Sequence, residues 1–200
     1  ISTNLPSGRT AKTLQLGSSN TCAILDDDSL YCWGSNTHGQ IGDGTQISRN
    51  TPTSVNLPNG RTAVSVSLGG GHSCAILDDF SLYCWGRNNY GQLGDGTQVS
   101  INTPSSVNIP VGRTAVDIAL GTYHSCSLLD NESMYCWGNN VNGILGIGTN
   151  TGSFSSPGNV SQKLGMAATL QTPCASGSYQ PSIGQISCID ASAGNYAYPT

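Results

Sequence analysis

The sequence predicts an all-β chain of about three stacked four-stranded units, and three observations carry that prediction. A stretch running from Cys22 to Gly34 returns as Cys74 to Gly86 and as Cys126 to Gly138, a spacing of 52 residues each time with no insertion or deletion. A constant period marks a repeat architecture in which each unit is too small to bury its own apolar faces and stacks on the next. Only 9% of the 200 residues are charged and 26 are glycine, with few good helix formers and many Ser, Thr and Asn, which favours strands and tight turns over helices. Finally, the repeated stretch reads as a β-hairpin.

In that hairpin Asp26, Asp27 and Asp28 (then Asp78 and Asp79, then Asp130 and Asn131) sit between two apolar runs. Short polar side chains of this type favour turns because they hydrogen-bond nearby backbone. Centring the turn near Asp27 pairs Ile24 with Leu30 and Cys22 with Cys32. Directly opposed residues have Cβ atoms about 4.5–5.5 Å apart, within reach of a disulfide after small adjustment. The same register joins Cys74 to Cys84 and Cys126 to Cys136. Ala23, Leu25, Tyr31 and Trp33 occupy the other face, so both faces are apolar and neighbours are expected on each.

The chain reads in order as follows. Leu5 to Ala11 matches Leu57 to Ala63 and Ile109 to Ala115, so Ile1 to Gly17 reads as the tail end of a unit whose beginning lies upstream. An alternating strand follows in later copies, with Val64, Val66 and Leu68 and then Val116, Ile118 and Leu120. Next come a glycine-rich turn and the cysteine hairpin. Each hairpin ends in Trp-Gly and enters a second turn: Asn36 to Thr45, Asn88 to Thr97, Asn140 to Thr149. Glycines matched across these turns suggest positive φ or close approach to a neighbour. Thr51-Pro52 and Thr103-Pro104 open an outer strand whose proline suits a sheet edge. Residues 149–160, with Ser156-Pro157 and Val160, read as the outer strand of a next unit that joins a blade begun elsewhere. About four strands per unit is the content of a propeller blade.

The runs Gly71-His72-Ser73-Cys74-Ala75-Ile76-Leu77, Leu82-Tyr83-Cys84-Trp85-Gly86-Arg87-Asn88 and Gly91-Gln92-Leu93-Gly94 resemble the repeat of the regulator of chromosome condensation family. The resemblance spans residues 1–160. It implies a partial β-propeller, in a family whose members usually have seven blades and act on a small GTPase or another partner. The paired cysteines, the acidic balance and the small number of blades depart from that family's pattern. With three blades, terminal faces stay apolar and exposed, so further blades of a longer parent chain, or other copies of this chain, are expected as partners.

Residues 161–171 read as a linker, and 172–200 as a small cysteine-rich module. Thr172 to Cys188 resembles the tandem cysteine-rich repeats of ephrin-receptor-like and growth-factor-receptor-like extracellular modules, and Gly177 and Tyr179 recur as Gly194 and Tyr196. Such units generally build stalks.

All eight cysteines fall in local pairs, three spaced C-x9-C and the fourth, Cys174 and Cys188, C-x13-C. Structural zinc sites use tighter knuckles and four converging ligands, so the pairs read as disulfides, which places the chain at the cell surface or outside the cell. Each C-x9-C bond closes a loop of about 11 residues, worth roughly 2–3 kcal/mol in the chain-entropy model. The sequons at Asn131 and Asn159 are candidate glycosylation sites in keeping with secretion. Net charge is −4, and the seven basic residues (Arg9, Lys12, Arg49, Arg61, Arg87, Arg113, Lys163) are scattered, which argues against a nucleic-acid partner. No run is long and apolar enough to insert in a membrane.

Groups able to do chemistry do not converge. His72 and His124 (Asn20 in the first copy) precede the hairpin cysteines and read as histidines hydrogen-bonded inside a blade. Ser73 and Ser125 follow them directly, and adjacent strand residues point to opposite faces. His38 reads as a solvated turn residue. Asp43 and Asp95 sit in Asp-Gly-Thr turns, but Ile147 replaces them in the third copy, so turn capping is favoured over calcium binding. Asp26, Asp27 and Asp28 fit a solvated tip as well as a site for a cation or a basic partner. Gly69, Gly70 and Gly71 lack the lysine and helix of a phosphate loop. Tyr31, Tyr83, Tyr135 and the three tryptophans read as blade core. No catalytic residue, cofactor or metal is expected. The function expected is non-enzymatic: an extracellular structural or adhesive repeat protein, part of a larger surface protein or fibre, with blade-rim loops touching surface proteins or glycans. The alternative is a secreted propeller that inhibits or regulates a partner protein.

Overall fold

The computed structural model describes residues 4–160 and two short strands at 178–179 and 189–190. The chain divides into two units, Ile1–Gly165 and Met166–Thr200. The first holds three four-stranded antiparallel sheets. Strands β1 (Ala11–Leu16), β2 (Asn20–Leu25), β3 (Leu30–Gly34) and β4 (Arg49–Ser54) form one blade. Strands β5 (Ala63–Leu68), β6 (His72–Leu77), β7 (Leu82–Gly86) and β8 (Ile101–Ser106) form the second. Strands β9 (Ala115–Leu120), β10 (His124–Leu129), β11 (Met134–Asn139) and β12 (Ser153–Asn159) form the third. In the second unit β13 (Ser178–Tyr179) pairs with β14 (Ile189–Asp190). The expected Cys174–Cys188 bond and the linker at 161–171 lie outside the described residues.

Two readings of strand membership change. Ala11–Leu16 pairs with β2 as an edge strand of the first blade, so the first copy also has four strands and this segment belongs to it. Likewise Ser153–Asn159 pairs with β11 and completes the third blade; it is not the edge of a next one. Linear order misleads here because the fourth strand follows a loop as long as the hairpin itself.

The hairpin register is the one the side-chain alternation dictates. Cys22 lies opposite Cys32 and Ile24 opposite Leu30, with the same offsets in the other two blades. The three disulfides Cys22–Cys32, Cys74–Cys84 and Cys126–Cys136 join Cα atoms 4.1, 4.0 and 4.1 Å apart. The tip is a tight turn with one residue at positive φ, namely Asp28, Phe80 and Glu132 in the three copies. A carboxylate or amide two positions before a serine holds each turn: Ser29 N–H donates to Asp27, Ser81 N–H to Asp79 and Ser133 N–H to Asn131.

Blades stack face to face. Cys22, Ile24, Leu30, Cys32, Ile41 and Val55 of the first meet Ala63, Val66, Leu68, Ala75, Leu77 and Trp85 of the second in one buried core. Cys74, Ile76, Leu82, Cys84, Leu93 and Val107 of the second meet Ala115, Ile118 and Trp137 of the third in another. The first two cystines therefore face the seam toward the following blade, and Trp85 and Trp137 the seam toward the preceding one. Trp85 and Trp137 are fully buried, whereas Trp33 is only partly so. Pro52, Pro104 and Pro157 lie on the outermost strands, where a missing backbone donor costs no ladder bond.

Candidate interaction site

Each blade has two ends, and their chemistry differs. One end carries the hairpin tips. There Arg9 pairs with Asp26 and Asp27 at 3.4 and 2.7 Å, Arg61 with Asp78 and Asp79 at 3.6 and 2.7 Å, Arg113 with Asp130 at 3.6 Å, and Lys12 with Asp28 at 2.7 Å. The tip aspartates thus pair with cations of the same chain and stay partly exposed. These arginines follow tight turns in which Arg9, Arg61 and Arg113 N–H donate back to Pro6, Pro58 and Pro110. A hydrogen bond from Ser29 holds the Asp27 carboxyl below its usual pKa, and one from Ser81 does the same for Asp79. Asn131 is exposed at this end, while Asn159 donates from Nδ2 to the Tyr135 hydroxyl at 3.3 Å.

The other end gathers the turns after β1, β5 and β9 and the long loops after β3, β7 and β11. Leu16, Gly17, Leu68, Gly69, Leu120 and Gly121, from equivalent positions in the three blades, line a shared concavity of about 380 Å³. A buried asparagine organises each long loop from within. Asn36 accepts from Ile41 N–H at 2.9 Å and donates to the Thr45 and Ile47 carbonyls at 3.1 Å each. Asn88 does the same with Leu93, Thr97 and Val99, and Asn140 with Leu145, Thr149 and Thr151. Asp43 accepts from Thr45 N–H at 3.0 Å and Arg49 Nε at 2.7 Å, and Asp95 from Thr97 N–H at 2.9 Å. Both are turn caps. Burial alone would raise the Asp43 pKa; bonds from Thr45 and Arg49 outweigh it and hold the carboxyl below its usual value. No cluster of three metal-ligating side chains occurs among the described residues.

The loops also lock the seams. The Gln40 carbonyl accepts from Ser73 Oγ at 2.8 Å and Trp85 Nε1 at 2.9 Å of the next blade. The Gln92 carbonyl accepts from Ser125 Oγ and Trp137 Nε1, both at 2.8 Å. Gly42 and Gly94 are required where these indoles cross: a Cβ would stand 2.6 Å from Trp85 Nε1 and 2.7 Å from Trp137 Nε1. In the third blade Ile144 replaces the glutamine and is 47% exposed.

His72 is fully buried, and its Nε2 lies 3.0 Å from Ser125 Oγ, so its partner belongs to the next blade and not to its own. With the Ser125 hydroxyl proton donated to the Gln92 carbonyl, the bond that fits is His72 Nε2–H donating to Ser125, the reverse of a base taking the hydroxyl proton. Burial, and then the nearby His124, lower the His72 pKa to about 3, and burial lowers that of His124. Adjacent Ser73 points the opposite way, to the preceding blade, as strand alternation requires.

At the seam between blades two and three the loop end carries a group the sequence reading passed over. The Arg87 guanidinium lies 5.0 Å from the Tyr123 ring centre and 6.0 Å from that of Tyr90, and the two rings are 5.2 Å apart. Arg87 follows the β7 tryptophan, Tyr90 sits three residues on, and Tyr123 comes from the turn after β9. The equivalent positions hold Ser35 and Asn139, His38 and Asn142, and Ser19 and Gly71. That variation among copies was the available signal.

This architecture has counterparts. The family model described as the regulator of chromosome condensation (RCC1) repeat matches residues 27–76 and 81–128. A second model of the same repeat matches 12–40, 63–92 and 115–144. The chain is 32% identical over 136 residues to the ultraviolet-B receptor UVR8 of Arabidopsis thaliana, covering 68% of this chain and 31% of that protein. It is 30% identical over 133 residues to the human E3 ubiquitin-protein ligase HERC2, covering 66% of this chain and 3% of that protein. Among solved structures, human WBSCR16 superposes with a TM-score of 0.68 at 23% identity, over 74% of this chain and 37% of that one. Yeast RCC1 (Prp20) bound to Kap60 superposes with a TM-score of 0.66 at 23% identity, over 75% and 37%. Spacing, blade topology and repeat models agree: the chain belongs to the regulator of chromosome condensation repeat family.

Proposed function

We propose that this chain is a non-enzymatic protein-binding blade array that works outside the cytosol, as a structural or adhesive part of a larger surface protein, and that its loop end makes the contacts. The observation that carries the reading is the placement of the cystines. All three span hairpins in register, and five of the six sulfur-bearing residues are buried in the blade faces. Disulfides in this number and arrangement persist in oxidising compartments. At the hairpin-tip end most carboxylates are paired with Arg or Lys of the same chain, whereas the loop end offers a concavity and mixed aromatic and cationic groups. Relatives in the family include a receptor and a ubiquitin ligase by name, which supports a scaffold that serves different partners; fold alone does not fix function.

A second reading, a secreted propeller regulating one partner, is favoured by the loop end being non-repetitive at one seam. Valency separates the two. A structural or adhesive array crosslinks into multimers with copies of its parent chain, and a regulator captures one partner at one-to-one stoichiometry. The reading is tested by alkylating the natural protein before and after reduction: the hairpin cysteines should label only after reduction. Labelling of native protein would overturn the extracytosolic assignment.

A further inference from the structure

We propose that Arg87, stacked on Tyr90 and Tyr123, is the anchor for an aspartate or glutamate side chain of a protein partner docking on the loop end. The inference rests on the protein-binding reading above and adds the chemistry of the contact. Among the described basic side chains, Arg9, Lys12, Arg49, Arg61 and Arg113 each pair with an aspartate of this chain. Arg87 pairs with none. Its Nε is sealed from solvent without a hydrogen-bond partner, and its position is set by ring contacts at 5.0 and 6.0 Å. Stacking on aromatic faces holds a guanidinium in place while leaving its terminal N–H groups free. Those groups form the fork that binds a carboxylate through two parallel hydrogen bonds.

The surroundings favour an acidic visitor despite the net charge of −4. Asp26, Asp27, Asp28, Asp78, Asp79 and Asp130 lie at the opposite end of the blades, and most of them are paired with Arg or Lys. At the loop end Asp43 and Asp95 are turned onto Asn36, Thr45 and Arg49, and onto Asn88 and Thr97. Among the described residues, no carboxylate there pairs with Arg87. The three residues are also dispensable to the blade: the same backbone is built with Ser35, His38 and Ser19, or with Asn139 and Asn142, at the matching positions. Tyr and Arg are the residue types that dominate interface energies, because they bring large contact area at little entropic cost. Tyr123, 37% exposed, gives the partner an aromatic surface beside the charge.

The test is selection of a phage-displayed random dodecapeptide library on the intact, disulfide-bonded chain. Selected peptides should share an Asp or Glu at a fixed position. Arg87→Met should weaken the best peptide about ten- to hundredfold. Replacing the peptide's acid by its amide should weaken binding to the same extent and have no further effect on the Arg87→Met chain. Arg61→Met, at the other end, should leave binding unchanged, and unaltered near-ultraviolet circular dichroism confirms that Arg87→Met is folded. Peptides that bind but ignore Arg87 would overturn the anchor and leave the protein-binding reading standing. Failure to enrich any peptide, or Arg87-dependent capture of sulfated glycans in its place, would overturn both.

Discussion

Between the first and second blades, Trp85 and Ser73 donate to the Gln40 carbonyl; between the second and third, Trp137 and Ser125 donate to Gln92 at matching distances. Cystine, indole, glycine and buried asparagine recur at both seams. The two part company at the loop end. At the first seam Asn20, Gly71, Ser35 and His38 occupy the positions where the second places His72 under Ser125, and Tyr123 beside Arg87 and Tyr90. Residues repeated at both seams hold the blades, and residues changed between them are free to serve something else. A repeat protein thus supplies its own internal control for separating fold from function.

The largest way to break the shared part is to remove an indole. Trp85→Ala should cost about 3–5 kcal/mol in urea unfolding, the range for a buried aromatic truncated to alanine. Trp33→Ala should cost less, because Trp33 is half-buried and donates no hydrogen bond to a described residue. Equal losses would contradict the view that the seam, and not the hairpin, is what the tryptophan stabilises. Next in size, replacing Cys74 and Cys84 together by alanine should cost about 2–4 kcal/mol. The same change at Cys126 and Cys136 should cost less. The closed loops are equally long, so chain entropy is matched, but the third blade's cystine packs in a smaller cluster with Leu145, Ile147, Val160 and Phe154.

The difference between seams can be sharpened by acid. His72 has a folded pKa of about 3 against an ordinary value of 6.5. The unfolded chain therefore binds a proton before the folded one, so stability is full above pH 6.5 and falls as pH drops toward 3, by up to ~1.4 kcal/mol per pH unit for this group. His72→Asn, which installs the residue found at the matching position of the first blade, should flatten the dependence of Tm on pH in that window. An unchanged slope would show that His72 is not the buried, neutral group described. The smallest effect is expected at the hairpin tips: Arg61→Met should change stability by under about 1 kcal/mol, as exposed ion pairs generally do.

The hairpin was legible in the sequence because a side-chain period of two and a fixed turn leave one register that puts Cys22 opposite Cys32. Proline marked the outer strands for a similar reason. Strand membership at both margins of the array was not legible, since a four-stranded blade closes through a loop and the period alone does not say where a unit begins. The site was less legible still. His72 meets Ser125 from the following repeat, a contact set by stacking, while the sequence invites comparison only with adjacent Ser73. Arg87 read as one of several scattered cations, and its solitude emerges only after the other described cations have found their aspartates. Aligning the three copies and asking which loop positions differ would have singled it out.

Hydrogen–deuterium exchange of the intact protein with and without a selected acidic peptide tests the separation of fold from function most directly. Protection confined to the loop end, residues 87–100 and 121–124, with unchanged exchange at the tips around Asp27, Asp79 and Asn131, is the expected result. Protection at the tips, or equal protection at the loop ends of both seams, would contradict the account.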